Sequence, residues 1–316
     1  MATSLRQSAS FESLDELSDA AIQLGWQSEL LQLDTRNALS TIDCGLTPRV
    51  VLCRFVFNNK AHQLATPLDG FQTFGLLSKP QTPTTFSGQC MDASVLSYMD
   101  PVNGVDAVSE TGFDAFTLAL RDDLLHETAE QHDMVHPGDK AWRWDKQTVF
   151  SAEAPVAAIR ELLLHWLSGP NLEGPDLEAL ESELALRVLA LSSNRLAAPV
   201  ADASGRQRIR SRALEFIRAH QQSSLKVTEV CAAASCSISS LERTFREEFG
   251  LSPKQCLVRN RLAGVRRSIL NPQTANSTIA YIASDWGFSH MSQFAADYYR
   301  VFGELPSQTQ RRAQRS

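Results

Sequence analysis

No run of about 18 apolar residues occurs anywhere in the 316-residue sequence, so no membrane-spanning helix is expected. The opening residues, MATSLRQSASFESLDEL, lack the apolar centre of a secretory signal, and a cytoplasmic location is the expectation. The six cysteines (Cys44, Cys53, Cys90, Cys231, Cys236 and Cys256) contain no C-x-x-C pair and no zinc spacing. They read as small buried or half-buried thiols in a reducing compartment. No G-x-S-x-G elbow, P-loop or G-x-G-x-x-G is present. Cys90, in Ser87-Gly88-Gln89-Cys90, has no local partner base and reads as a plain strand residue. His126, His132 and His136 lie near Glu127, Glu130 and Asp133, and the gap between His132 and His136 is metal-compatible on a helix. Pro137 follows directly, however, and a solvated helix end is the simpler reading. No metal, cofactor or catalytic residue is assigned.

Charge is unevenly spread. From Arg206 onward there are 17 lysines and arginines against 8 acidic residues, a net of +9. Before Arg206 there are 13 against 28, a net of −15. A basic C-terminal third suits a polyanion partner, whereas the acidic remainder would be repelled by it. Two domains with separate cores fit the length.

In chain order, Phe11 to Leu24 has an amphipathic helical spacing through Leu14, Leu17, Ala21 and Leu24. Ser28–Leu33, Val50–Phe57, Phe71–Leu77, Ala93–Tyr98 and Phe113–Leu120 are strand-like, separated by Pro, Gly, Asn and Asp. Short strands at this spacing predict a small barrel or sandwich. Helices follow at Asp122–His132, Pro155–Leu167 and Asp176–Leu191. Leu177, Leu180, Leu184, Val188 and Leu191 form a stripe that something must cover, either the barrel or the same stripe of a second copy. Arg195 to Arg206, RLAAPVADASGR, has linker composition. Ile209 to His220 then opens the basic region, its core side at Ala213, Phe216 and Ile217, behind Arg206, Arg208, Arg210 and Arg212.

The stretch VTEVCAAASCSISSLERTFREEF, Val227 to Phe249, predicts two short helices about a small polar break. Val230, Cys231 and Ala234 face one core. Ser237 is a suitable N-cap, Leu241, Phe245 and Phe249 make the second stripe, and Gly250 and Pro253 end it. The pattern returns. Ile282, Ala283 and Gly287 repeat Val230, Cys231 and Ser235 at an offset of 52. Phe294, Tyr298, Phe302, Gly303 and Pro306 repeat Leu241, Phe245, Phe249, Gly250 and Pro253 at an offset of 53, so the second turn holds one extra residue. A long helical stretch, Lys254 to Leu270, joins the two units.

With its closing Trp286-Gly287-Phe288 turn, aromatic helix and Gly303-Glu304-Leu305-Pro306, the segment from about Ile209 to Arg312 resembles the DNA-binding domain of AraC-type transcription regulators. The wording WGFSHMSQFAADYYRVFGELPS looks most like the ethanolamine-operon regulator branch. The resemblance implies an α+β chain: an N-terminal cupin-like β barrel with helices over 1–195 for sensing and dimerisation, a linker at 196–206, and an all-α domain with two helix-turn-helix units over 207–316. The HxH…E…H histidine set of metal-binding cupins is missing. The resemblance also implies double-stranded DNA, a small-molecule effector and RNA polymerase as partners. It tilts the leucine stripe toward a homodimer interface.

A recognition helix brings its N-terminal residues to base edges in the major groove. Ser239, Ser240, Glu242 and Arg243 fill those positions in the first unit, and His290, Met291, Ser292 and Gln293 in the second. Arg243 matches an arginine that commonly reads a base in the resembled family; otherwise it would pair with Glu247 one turn on. Arg246, Lys254 and Arg300 are phosphate candidates. The second unit departs from the family: Ala296 stands for the usual arginine, Tyr299 for a common lysine, and Asp297 repels phosphate. Trp286, Phe288, Phe294, Tyr298 and Phe302 read as core. The expected function is sequence-specific transcription regulation, an activator answering a small molecule. The alternatives are a constitutive binder whose N-terminal domain only dimerises, and a cupin-like metalloenzyme fused to a DNA-binding domain.

Overall fold

A computed structural model describes residues 3–35, 38–79, 84–86, 89–99, 104–135, 148–193, 197–199, 205–221, 224–271, 273–274 and 277–314. Two compact units emerge. The first comprises Met1–Glu29, Ala38–Asn58 and Gln63–Ala201; the second comprises Asp202–Ser316 with two short earlier segments, Leu30–Asn37 and Asn59–His62.

The first part of the chain runs β1 (Leu5–Phe11), α1 (Leu14–Gln23), β2 (Gln27–Gln32), β3 (Ser40–Leu46), β4 (Val50–Phe57), β5 (Ala61–Thr66), β6 (Phe71–Leu77), β7 (Thr84–Phe86), β8 (Gln89–Met91), β9 (Val95–Tyr98), β10 (Val105–Ser109), β11 (Phe113–Arg121), α2 (Asp122–Gln131), β12 (Thr148–Ser151), α3 (Glu153–Ser168), α4 (Gly174–Ser193) and β13 (Ala197–Pro199). The strands form two sheets, β1-β3-β4-β11-β6-β9-β12-β13 and β2-β5-β10-β7-β8. Among the described residues no ladder joins them, so the expected closed cupin-like barrel is replaced by two open sheets. The α+β class stands. The linker expected at 196–206 lies partly outside the described residues, and β13 falls within it.

The central strands of the larger sheet are buried on both faces. Val50, Leu52, Phe74, Leu76, Leu96, Tyr98, Phe116, Leu118 and Leu120 are all even-numbered, and strand alternation sends them to one side. There they bury against Leu124 and Leu125 of α2, Ile159 and Leu163 of α3, and Leu184 and Val188 of α4. Residues of the two sheets meet elsewhere: Val95 of β9, with Met99 just beyond it, packs with Met91 of β8 and Val105 and Ala107 of β10. Double coverage explains the unbroken apolar run Val50-Val51-Leu52-Cys53. Polar pairs fix the strand ends. Arg54 donates to both Asp114 oxygens at 2.8 Å. Burial alone would raise the Asp114 carboxyl, but Arg54 and Lys79 hold it below its ordinary range.

The leucine stripe of α4 is not a free surface. Leu177, Leu180, Leu184, Val188 and Leu191 are all buried, and all but Leu177 belong to the core beneath the larger sheet. The dimer expectation for these five residues is therefore corrected: the chain covers the stripe itself. Leu184→Glu should cost more than about 4 kcal/mol, because the charge has no partner in that core. Thermal unfolding should show a large fall in Tm; an unchanged Tm with a smaller sedimenting species would restore the interface reading.

Candidate nucleic-acid interface

The C-terminal region is helical: α5 (Gly205–Ala219), α6 (Val227–Ala233), α7 (Ile238–Phe249), α8 (Pro253–Leu270), α9 (Ile279–Asp285), α10 (Met291–Phe302) and α11 (Pro306–Ala313). The pairs α6–α7 and α9–α10 are built alike. In the first turn, Ser235 N–H donates to Ala232 O at 3.1 Å and Cys236 N–H to Cys231 O at 3.0 Å. In the second, Gly287 N–H donates to Ser284 O and Phe288 N–H to Ala283 O, both at 2.9 Å. The pivot residue is left-handed in both, φ 51° at Ser235 and 75° at Gly287. Only the second unit has a glycine there. Each second helix ends on a left-handed glycine, φ 70° at Gly250 and 68° at Gly303, whose N–H returns to Arg246 O and Tyr299 O.

Each second helix is oriented by what it buries. Leu241, Phe245 and Phe249 are sequestered on α7, and Phe294, Tyr298 and Phe302 on α10. The second set joins Leu262, Val265 and Ile269 of α8 with Ile282 and Trp286. Trp286 lies flat against α8 at Gly264, where an added Cβ would fall 2.1 Å from the ring, and its indole N–H reaches Ser268 Oγ at 3.0 Å. Tyr298 Oη shares a 2.9 Å hydrogen bond with Thr309 Oγ1. Phe288 is half-buried under the Arg261 guanidinium, 4.8 Å from its centroid. The aromatic residues of this unit's core are thus structural. Cys231 and Cys256 are buried as expected, and burial pushes the Cys256 thiol up to about 12.

What remains outside is the candidate interface. On α7, Ser239, Glu242, Arg243 and Arg246 are exposed. Ser240 is half-buried, and its N–H and Oγ are both tied to Ser237 Oγ, at 3.2 and 2.9 Å. Ser239 Oγ lies 3.0 Å from that same oxygen. The alternative Arg243–Glu247 pair does not form among the described residues: Glu247 takes Arg206 instead. Among the described residues Arg243, Arg246 and Lys254 have no carboxylate partner. On α10, His290, Met291, Ser292, Gln293 and Ala296 are exposed. Arg300, expected to meet phosphate, bridges Asp297 at 2.8 Å, so the two charges cancel locally. Ile238, the first residue of α7, is also exposed, an apolar residue outside the expected set.

A protein-family model described as a helix-turn-helix domain matches residues 230–312. The match runs from within α6 to α11 and so takes in both helix pairs. Among curated proteins, the XylDLEGF operon transcriptional activator 2 of Pseudomonas putida is 34% identical over 98 residues, covering 31% of this chain and 62% of that protein. The probable thc operon regulatory protein of Rhodococcus erythropolis is 32% identical over 96 residues, 30% of this chain and 29% of that protein. The chain thus covers less than two thirds of the length of either relative. A crystal structure of a probable AraC family transcriptional regulator from Rhodopseudomonas palustris is 29% identical, covering 34% of this chain and 96% of that one at a TM-score of 0.31.

The N-terminal unit offers a cavity of about 470 Å³ beside β1, β3, β4 and α3, lined in part by Arg6, Ser8, Asp43, Arg54 and Leu164. Its polar groups answer one another: Arg6 donates to Asn171 and the Leu167 carbonyl, Ser8 to Asp43, Arg54 to Asp114. No ligand class follows from such a lining. Of the histidine cluster, His136 lies outside the described residues, as does the side chain of Cys90. No group of three metal-ligating side chains occurs among the described residues. No helix among them is long and apolar enough to cross a membrane.

The unequal pivots yield a stability test. An L-residue in the left-handed region carries strain that glycine avoids. Ser235→Gly should therefore stabilise the domain by about 0.5–1 kcal/mol, read as a rise in unfolding midpoint in denaturant. A lower midpoint would show that the serine side chain contributes more than its backbone costs.

Proposed function

We propose that the chain is an AraC-type transcription activator whose two helix-turn-helix units read double-stranded DNA, with the N-terminal two-sheet unit sensing a small molecule. The observation that carries this reading is Arg243. It stands exposed on α7 without a carboxylate partner among the described residues, as do Arg246 and Lys254, in a segment of net charge +9. Arg243 is assigned to a guanine edge, with Ser239 and Glu242 beside it; Gln293, His290 and Ser292 are the polar readers of the second unit. RNA polymerase is the partner an activator requires. The ethanolamine-operon specialisation rests on the wording of Trp286 to Ser307 alone. A homodimer would need a surface other than the α4 stripe.

Phosphate contacts by an unpaired cationic face release counterions. The affinity of the full chain for duplex DNA should fall linearly in log–log form with salt, by about 0.9 per phosphate neutralised. Anisotropy titrations at several salt concentrations measure the slope, and a flat response or no binding at low salt rejects the DNA reading.

The two units should contribute unequally. Arg243→Ala should lose about 1–3 kcal/mol and relax the preferred sequence at one position. Ala296→Arg should add affinity without changing the first half-site, because it restores a cation beside the Asp297–Arg300 pair. Binding-site selection on wild type and both variants distinguishes the roles. An unchanged preference in Arg243→Ala, with Gln293→Ala degrading it, would assign the dominant reader to α10.

A further inference from the structure

The offset of 53 that equates Leu241 with Phe294 and Gly250 with Gly303 also equates Ile238 with Met291. Each is the first residue of its recognition helix. Each is a large apolar side chain left in solvent, Ile238 51% and Met291 36% exposed. Each is followed by an exposed serine, Ser239 or Ser292. A single exposed apolar residue needs no explanation. The same chemistry at the same place in two units whose polar readers, that serine apart, differ is a different matter. Ser240 becomes Gln293, Glu242 becomes Ala295 and Arg243 becomes Ala296, yet the first position stays apolar.

The first turn of a recognition helix is the part that meets base edges in the major groove. That groove presents hydrogen-bond donors and acceptors at every base pair, and one apolar group, the C5-methyl of thymine. Ile238 and Met291 carry nothing that could satisfy a donor or acceptor, so against any other base they would strip water from a polar edge without replacing it. We propose that Ile238 and Met291 are specificity-determining residues, each packing on the C5-methyl of a thymine, one in each of the two half-sites. The inference rests on the DNA-binding reading above. It adds a requirement that no polar reader imposes: the site must contain a thymine at the position met by the start of each helix.

Deoxyuridine differs from thymidine only by that methyl, and it leaves pairing and the hydrogen-bonding edges intact. A duplex carrying the sequence selected by the full-length protein is resynthesised with deoxyuridine at each thymine in turn, and affinity is measured by anisotropy. One thymine per half-site should respond, each by about fourfold weaker binding, the worth of one buried methyl group. Ile238→Ala should abolish the response in the first half-site alone, Met291→Ala in the second alone, and Ile238→Val should retain it. These side chains lie outside the core, and thermal unfolding of each variant confirms the fold. Sequence-specific binding that ignores every deoxyuridine overturns the proposal. So does a response that persists in both alanine variants. Absence of any sequence-specific binding overturns the regulator reading itself, a result distinct from either.

Discussion

The face that α7 and α10 each leave in solvent is what remains after the helix's apolar stripe is buried. On α10 the buried face is Phe294, Tyr298 and Phe302, and its placement depends on how closely α9 and its turn approach α8. That approach is set at Gly264, where the Trp286 ring occupies the space of a Cβ. A side chain there would push Trp286 outward, break its bond to Ser268 and tilt the turn that launches α10. The buried hydroxyl pair Tyr298–Thr309 then fixes α11 behind the recognition helix. Packing of this kind is rigid because interiors are close-packed, so a reading face inherits the precision of the core behind it.

The two units share backbone and core but diverge at the surface. The turn hydrogen bonds and terminal glycines correspond residue by residue. Their solvent faces do not. The first keeps an unpaired arginine beside a serine cluster organised by the Ser237 cap. The second has no side-chain cap at His290, an alanine at the arginine position and an internal Asp297–Arg300 pair. A free cation and a locally neutral pair differ greatly in what they offer a phosphate or a guanine. The asymmetry therefore lives in electrostatics rather than in shape.

The helical third was legible because its information is local. Heptad-like stripes, caps and the 52/53 repeat sit within a few residues of the structures they specify, and α7, α8 and α10 follow them closely. β4, β6 and β11 were legible for the related reason that they are dense in apolar and β-forming residues between turn residues. β1 and β3 were not read from LRQSASF and STIDCGL: polar residues dominate the first, whose partner β3 lies roughly 30–40 residues on, and STIDCGL mixes polar residues into a strand that pairs locally with β4. Barrel closure failed for the same reason, since whether two sheets join is not written in any one strand. The α4 stripe shows the limit most clearly. Periodicity establishes that Leu177 to Leu191 must be covered, but a strand face and a second copy present the same apolar partner.

Ile238 lay outside the expected readers because nothing in its own stretch marks it, whereas Met291 stood among them. In isolation an isoleucine after an N-cap serine is unremarkable, and β-branched residues at a helix start carry little propensity cost. Its meaning comes only from superposing the two units, where Met291 takes the same place. A repeat thus supplies a second observation from a single chain. Positions that vary between the units, such as Arg243 and Ala296, are where their sequence preferences can differ. Positions that keep one chemistry, as Ile238 and Met291 do, mark what both helices must meet. With Arg243 and Ala296 so unequal, a shared apolar contact is a recognition element that the weaker unit would offer its half-site as fully as the stronger one does.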